Sequence, residues 1–248
     1  MKTLIRALGA ALAALCLLPA CGHASVVIAG TRVVFDASQG EATVRLMNHG
    51  TRPALVEVWL DKGNIHSTPD SAHTPFLITP PVFRMNAHQD QSLRILYVGN
   101  KKALPTDRES LFWLNVLEVP PSPTGEAAHR NTLQFAIRSR IKLFYRPGHL
   151  PISRNKASGK LTWTTIGSGP DVALEVHNPT PYYITFSKVT LSVDGNAKAA
   201  KTGMVAPFSS LTLALPGLKQ APGAGAKVDY WTINDFGAVA RHTGATKR

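Results

Sequence analysis

No long stretch of this chain keeps a helical period; instead it breaks into short runs rich in β-branched and aromatic residues, separated by turns. Residues 33–35, 42–47, 54–60, 92–98, 111–119 and 132–145 read as strands. Polar or Pro/Gly turns such as Asn48-His-Gly50 and Pro120-Pro-Ser-Pro-Thr-Gly125 divide them. At most one helical turn is predicted, at 103–108. Six or seven strands in the first half predict an antiparallel, immunoglobulin-like sandwich. A Pro/Gly break, Arg146-Pro147-Gly148-His-Leu-Pro151, precedes a second strand-rich region at 161–166, 172–176, 183–193, 210–215, 227–233 and 238–242. The Gly/Ala/Pro/Lys tract 220–227 is predicted as a loop. The chain therefore reads as all-β, with two sandwiches spanning 25–147 and 148–248.

The stretch from Leu133 to Pro147 constrains function most. Leu133, Phe135 and Ile137 alternate with Gln134 and Arg138, and Lys142 follows inside an apolar run. An exposed strand with large apolar residues invites aggregation. A secreted protein that keeps one needs a use for it, and lending the strand to another protein is such a use. Alternation alone leaves open that the three side chains face the protein's own core.

Residues 1–24 read as a secretory signal, with Lys2 and Arg6, an apolar stretch, and small residues ahead of a cleavage site before Ser25. A lipoprotein reading of Leu18-Pro-Ala-Cys21 fits less well because of Pro19. The apolar run is too short to span a membrane. Cys16 and Cys21 are the only cysteines, so the mature chain carries no disulfide and is held by burial. Net charge falls from +12 to +10 with the loss of Lys2 and Arg6. The Lys and Arg residues are scattered, which, with the export signal, predicts a basic surface rather than a nucleic-acid interface.

Nothing in the letters supports catalysis. There is no G-x-S-x-G elbow and no phosphate-binding glycine loop. His49, His66, His73, His88, His129, His149, His177 and His242 show no metal-ligand spacing. No cofactor or metal is predicted, and the chain is not expected to be an enzyme.

Seven segments taken together resemble one family, the PapD-like periplasmic chaperones of the chaperone–usher pilus pathway. In the first half these are Gly30-Thr-Arg-Val-Val-Phe-Asp36, Pro75-Phe-Leu-Ile-Thr-Pro-Pro81, Arg108-Glu-Ser-Leu-Phe-Trp-Leu-Asn-Val-Leu-Glu-Val-Pro-Pro121 and Ile141-Lys-Leu-Phe-Tyr-Arg-Pro147. In the second they are Asn178-Pro-Thr-Pro-Tyr-Tyr183, Met204-Val-Ala-Pro-Phe-Ser209 and Ile233-Asn-Asp-Phe-Gly237. The resemblance implies a boomerang of two immunoglobulin-like domains with a cleft between them. It implies that Arg32 and Lys142 hold the C-terminal carboxylate of a pilus subunit, an ion that two fixed cations match well. It implies that Leu133, Phe135 and Ile137 complete the subunit's unfinished sandwich by donor-strand complementation. Glu109, Arg146 and Asp235 match positions of an interdomain charge cluster.

The implied partners are pilus subunits and an outer-membrane usher in the periplasm, without nucleic acid or membrane insertion; self-association of the free protein would hide its edge. The short, cysteine-free connector from Val119 to Thr132 resembles the short-loop subclass. Period-two counting places Lys142 opposite Leu133, Phe135 and Ile137, so a bulge or twist is expected between Arg138 and Ile141. A cis bond is an option at Pro80-Pro81, with a trans turn the default expectation. Two rivals remain: a two-domain adhesin or pilus component, which needs its own polymerising extension or disulfides, and a β-sandwich enzyme, which needs a carboxylate pair or metal cluster in a cleft.

Overall fold

The computed structural model describes residues 25–100, 104–167, 172–193, 195–218 and 220–247. The expected leader and its cysteines lie outside the described residues. The first half contains β1 (Val26–Ile28), β2 (Arg32–Asp36), β3 (Glu41–Asn48), β4 (Ala54–Asp61), β5 (Phe76–Thr79), β6 (Val82–Met85), β7 (Asp90–Tyr97), β8 (Ser110–Val119) and β9 (Ile137–Arg146). They form two sheets, ordered β1-β3-β7-β5 and β2-β9-β8-β4-β6.

Alternation dictates what lies between those sheets. On β2, Val33 and Phe35 turn inward while Arg32, Val34 and Asp36 stay partly exposed. Val44 and Leu46 of β3, Leu93 and Ile95 of β7, and Leu114 and Val116 of β8 meet them in one core. Phe35, Phe76, Tyr97, Phe112 and Tyr145 close its end, with ring centroids 4.9–6.1 Å apart in mostly edge-on or tilted pairs.

The second half contains a helical turn α1 (Arg154–Ala157) and β10 (Thr162–Ile166), β11 (Ala173–Asn178), β12 (Ile184–Val193), β13 (Asn196–Ala199), β14 (Met204–Val205), β15 (Ser209–Ala214), β16 (Lys227–Ile233) and β17 (Val239–Lys247). The groups β13-β12-β16-β17 and β10-β11-β15 enclose a separate core around Trp163, Leu174, Ile184, Leu191 and Tyr230. A short parallel pairing of β10 with β17, at Trp163 and Thr246, joins them.

Both halves use the same device at a strand end, although their sequences show no repeat. Buried Asn48 donates its side-chain amide to the carbonyls of Arg52 and Asn86, each at 3.0 Å, and accepts from Gly50 N–H. Buried Asn178 donates to the carbonyls of Tyr182 and Ala206, each at 2.8 Å, and accepts from Thr180. An amide satisfied on both sides organises a tight chain reversal without leaving a buried polar group unpaired.

Three expectations need correction. Residues 104–108 carry no helix; among the described residues the helical turns fall at Gly125–His129, Arg154–Ala157 and Ser158–Lys160. The cis peptide bond is Thr79–Pro80, not one at Pro81. The strand expected over 132–145 begins only at Ile137. Its partner β8 ends at Val119, and the next residues, Pro120 and Pro121, have no N–H with which to continue the ladder.

Candidate functional site

β9 is the element around which the site is built. It pairs with β8 along its length, from Glu118 opposite Ile137 to Ser110 opposite Tyr145, with no shift of register. On its other side β2 runs parallel and covers only Lys142–Arg146. Among the described residues, the segment 137–141 therefore presents one edge that no other strand of the protein pairs. Just ahead of it, Leu133 is 79% and Phe135 68% exposed, and Ile137 is 39% exposed.

The unbroken register overturns the expected bulge between Arg138 and Ile141. None is needed, because the two sets of residues do face opposite ways. Ile141, Leu143 and Tyr145 pack on the first domain's core, so Ile137 continues a core-facing row past the end of its own sandwich. Lys142 belongs to the other face, with Arg138, Arg140, Phe144 and Arg146.

That second face turns toward the second domain. Arg32 of β2 is the register partner of Lys142, and paired residues of parallel strands point the same way, so the two cations lie side by side. Lys142 Nζ reaches Thr185 Oγ1 at 3.5 Å and lies 5.7 Å from the Trp113 ring centre. Arg32 Nη1 donates to the Ile233 carbonyl at 3.3 Å, while its buried Nε has no hydrogen-bond partner among the described residues. No carboxylate of the described residues lies within ion-pair distance of either cation. Burial, then the charge of Arg154, pushes Arg32 below its usual range; burial, then Arg32, does the same to Lys142. Two half-buried cations side by side, both with their charge disfavoured by burial, make a pre-formed site for an anion.

The charges expected as a cluster do meet. Arg146 Nε donates to Glu109 at 2.8 Å, and its two terminal nitrogens donate to both oxygens of Asp235 at 2.7 and 2.9 Å. Glu109 also accepts from the Tyr183 N–H at 2.8 Å, so one carboxylate on the first domain holds the backbone of the second. Burial raises the Glu109 carboxyl, whereas Asp235, opposed by burial, is still held low by its bonds to Arg146. Arg154 of α1 joins the cluster at 3.4 Å from Asp235. The Asp235 turn comes close to the first domain: Gly237 has φ +84°, and a Cβ there would lie 2.7 Å from Thr31 Oγ1.

Sequence reasoning missed the residues that stiffen β9. Asp61, buried at the end of β4, accepts from Arg140 Nη2 at 2.6 Å and from Asn115 at 2.8 Å. The Arg140 guanidinium lies 4.2 Å from the Trp113 ring centre, and Arg138 donates to the carbonyls of Ile65 and Ser67. The cationic face of the unpaired segment is thus clamped to the loop after β4, leaving its apolar face free. A buried aspartate after a hydrophobic strand was the available signal, but its partner is 79 residues away in sequence.

Comparison with known proteins fits this arrangement. The N-terminal domain of the pili and flagellar-assembly chaperone PapD matches residues 25–151, and the C-terminal domain of the pili assembly chaperone PapD matches residues 156–244. The chain belongs to the PapD-type pili-assembly chaperones. The chaperone protein FimB/FhaD of Bordetella pertussis is 46% identical over 244 residues, covering 97% of this chain and 95% of the relative. The crystal structure of the YadV chaperone, at 40% identity, superposes with a TM-score of 0.77 over 90% of this chain and 100% of that one. The SafB chaperone of Salmonella enterica, solved in complex with the SafA pilin, is 31% identical with a TM-score of 0.72, over 91% and 98% of the two chains. The chaperone is thus two immunoglobulin-like sandwiches with the paired cations in the cleft between them, and its family is one of chaperones rather than enzymes.

The interdomain cluster carries a measurable pH signature. Replacing Asp235 by Asn removes a bidentate, partly exposed ion pair, which after discounting for solvent is expected to cost about 1–2 kcal/mol near neutral pH. The folded pKa of Asp235 lies below its unfolded value, so that stabilisation is complete above the unfolded carboxylate range, about 4, and is lost as pH falls through the folded value. Urea unfolding of both proteins from pH 7 downward checks it. The gap between them should close in acid, and a gap independent of pH would show that the ion pair does not contribute.

Proposed function

We propose that the chaperone captures a pilus subunit in the periplasm by lending it the unpaired edge of β9, and passes it to an outer-membrane usher. The subunit's terminal carboxylate sits between Arg32 and Lys142. Leu133, Phe135 and Ile137 enter the groove left by the subunit's missing strand. Main-chain bonds to residues 137–141 set the pairing, and residues 133–136, which lack a β8 partner, become strand only when the subunit supplies one. Each large apolar side chain buried in this way contributes about 1.5–3 kcal/mol. The work of release comes from a subunit fold that stays incomplete until another segment takes the place of the lent strand.

The observation that carries this reading is the meeting, where β9 gains its partner β2, of an apolar unpaired edge and an anion site without its own anion. An adhesin needs neither. The complex of SafB with the SafA pilin supports it, because there a relative of this chaperone is held with a pilin. Glu109, Arg146, Asp235 and Arg154 then fix the angle at which the second domain flanks the carboxylate.

Co-expression with a pilus subunit tests the proposal. A stoichiometric complex is expected in the periplasmic fraction, dependent on this protein for the subunit's survival. Recovery of intact subunit to the same level in its absence would overturn it.

A further inference from the structure

Two turns of the second domain reach the first, one on each side of Thr185. In the sheet, Thr185 of β12 lies between Met204 of β14 and Ile233 of β16. Both neighbours run antiparallel to β12, so the turns that follow them emerge at the same end. The turn after β16 carries Asp235, already tied to Arg146. The turn after β14 carries Phe208, and the Arg108 guanidinium of the first domain lies 4.9 Å from its ring centre. Arg108 is itself held by Asp107, its Nε and Nη2 donating to the two carboxylate oxygens at 3.0 and 2.7 Å.

Phe208 has an unusual backbone for a side chain of its size. Its φ is +51°, in the left-handed region that favours glycine or asparagine. The residue is 42% exposed, so burial in the second domain's own core does not offset that conformation. Its N–H donates to the Thr180 carbonyl at 3.2 Å, and the adjacent Pro181 carbonyl accepts the Glu109 N–H at 2.9 Å. The Glu109 carboxylate takes the Tyr183 N–H. Residues 107–109 of the first domain thus grip one small region of the second.

We propose that Arg108 and Phe208 are positioning residues for subunit capture, a brace that stops the second domain rocking about its Asp235 tie. The proposal rests on the anchoring reading above. The charge cluster holds the second domain on the β16 side. The Glu109 bonds fall between the two turns, at the residues leading into β12, and make a pivot. A body held along one side still tilts, and tilting moves Thr185, which lies 3.5 Å from Lys142. It also moves the Ile233 carbonyl that accepts from Arg32. A contact on the β14 side removes that freedom, and Met204 carries it to Thr185 through the β14–β12 ladder. A cation over an aromatic face suits this place, because it keeps part of its attraction at an exposed site.

The test uses the mature chaperone spin-labelled at two exposed positions, Lys62→Cys in the first domain and Lys198→Cys in the second. Phe208→Asn removes the ring with a residue that tolerates the left-handed region, and Arg108→Gln removes the charge. Each is expected to broaden the distribution of distances between the labels in the free protein and to leave urea unfolding unchanged. Affinity for a pilus subunit that the unaltered protein captures should fall about threefold, because only a fraction of molecules then holds the cleft ready. Phe208→Tyr keeps the ring and should give the parent distribution and affinity. The double variant should lose no more than either single change, since both act through one contact. Should Phe208→Asn fail to fold, Arg108→Gln carries the test alone. An unchanged distance distribution would overturn the brace, whatever binding does. A broader distribution with unchanged affinity would overturn its role in capture. Arg32→Ala is run alongside: undiminished capture there would overturn the anchor, and the brace's role in capture with it.

Discussion

Arg32→Ala combined with Lys142→Ala is expected to abolish subunit capture while leaving the free chaperone at least as stable as before. Hydrogen bonds to a charged group contribute about 1.5–3 kcal/mol each, so losing both cations weakens binding at least a hundredfold. Stability moves the other way. Burial depresses both folded-state pKa values, helped by Arg154 at Arg32 and by Arg32 at Lys142, which means that the charged forms strain the free protein. Arg32 loses one hydrogen bond, to the Ile233 carbonyl, and its place over the Phe144 ring; Lys142 loses one long contact with Thr185 and its place over the Trp113 ring. Recovery of complexes after co-expression, set beside urea unfolding of the purified variants, checks both halves. Full recovery removes the anchor; a fall in stability that parallels the fall in capture would make the pair structural.

Phe135→Glu combined with Leu133→Ser should be nearly as severe for binding and silent for folding. Both side chains are solvent-exposed in the free chaperone, and surface changes away from packed features move stability by no more than about 0.5 kcal/mol. In the complex the same changes forfeit about 3–6 kcal/mol of apolar burial and place a carboxylate in a dry groove. The expected readout is loss of complex by at least a hundredfold with superimposable unfolding curves. A variant that unfolds in isolation would show that these residues belong to the chaperone's own core.

Which features were legible in the letters follows from how local their causes are. Strands with strong alternation, such as β3, β7 and β8, were legible because the period is written in consecutive residues. β1, β5, β6, β13 and β14 were missed; they span two to four residues each and owe their conformation to the neighbour they pair with. The start of β9 was misjudged for the converse reason. Leu133 to Ala136 alternate as a strand should, but β8 ends at Val119 and gives them no partner.

The site divided in the same way. Arg32, Lys142, Glu109, Arg146 and Asp235 could be singled out only through the resemblance, because they are scattered along the chain from Arg32 to Asp235 with no period to read. Asp61 with Arg140, and Arg154 with Asp235, escaped entirely: each is a contact between distant elements. The parity of Lys142 was read correctly and explained wrongly. One face of β9 continues the core while the other faces the cleft, and a straight strand serves both.

That straightness makes the strand a ruler. Lys142 is locked between β2 and β8, and extended chain advances about 3.3 Å per residue, so Ile137 stands roughly 17 Å from Lys142 along the strand. A client can engage every graduation only if the distance from its last residue to each pocket of its open groove matches that scale. Under the anchoring proposed above, a client lengthened by one residue at its tail should be refused although its side chains are unchanged.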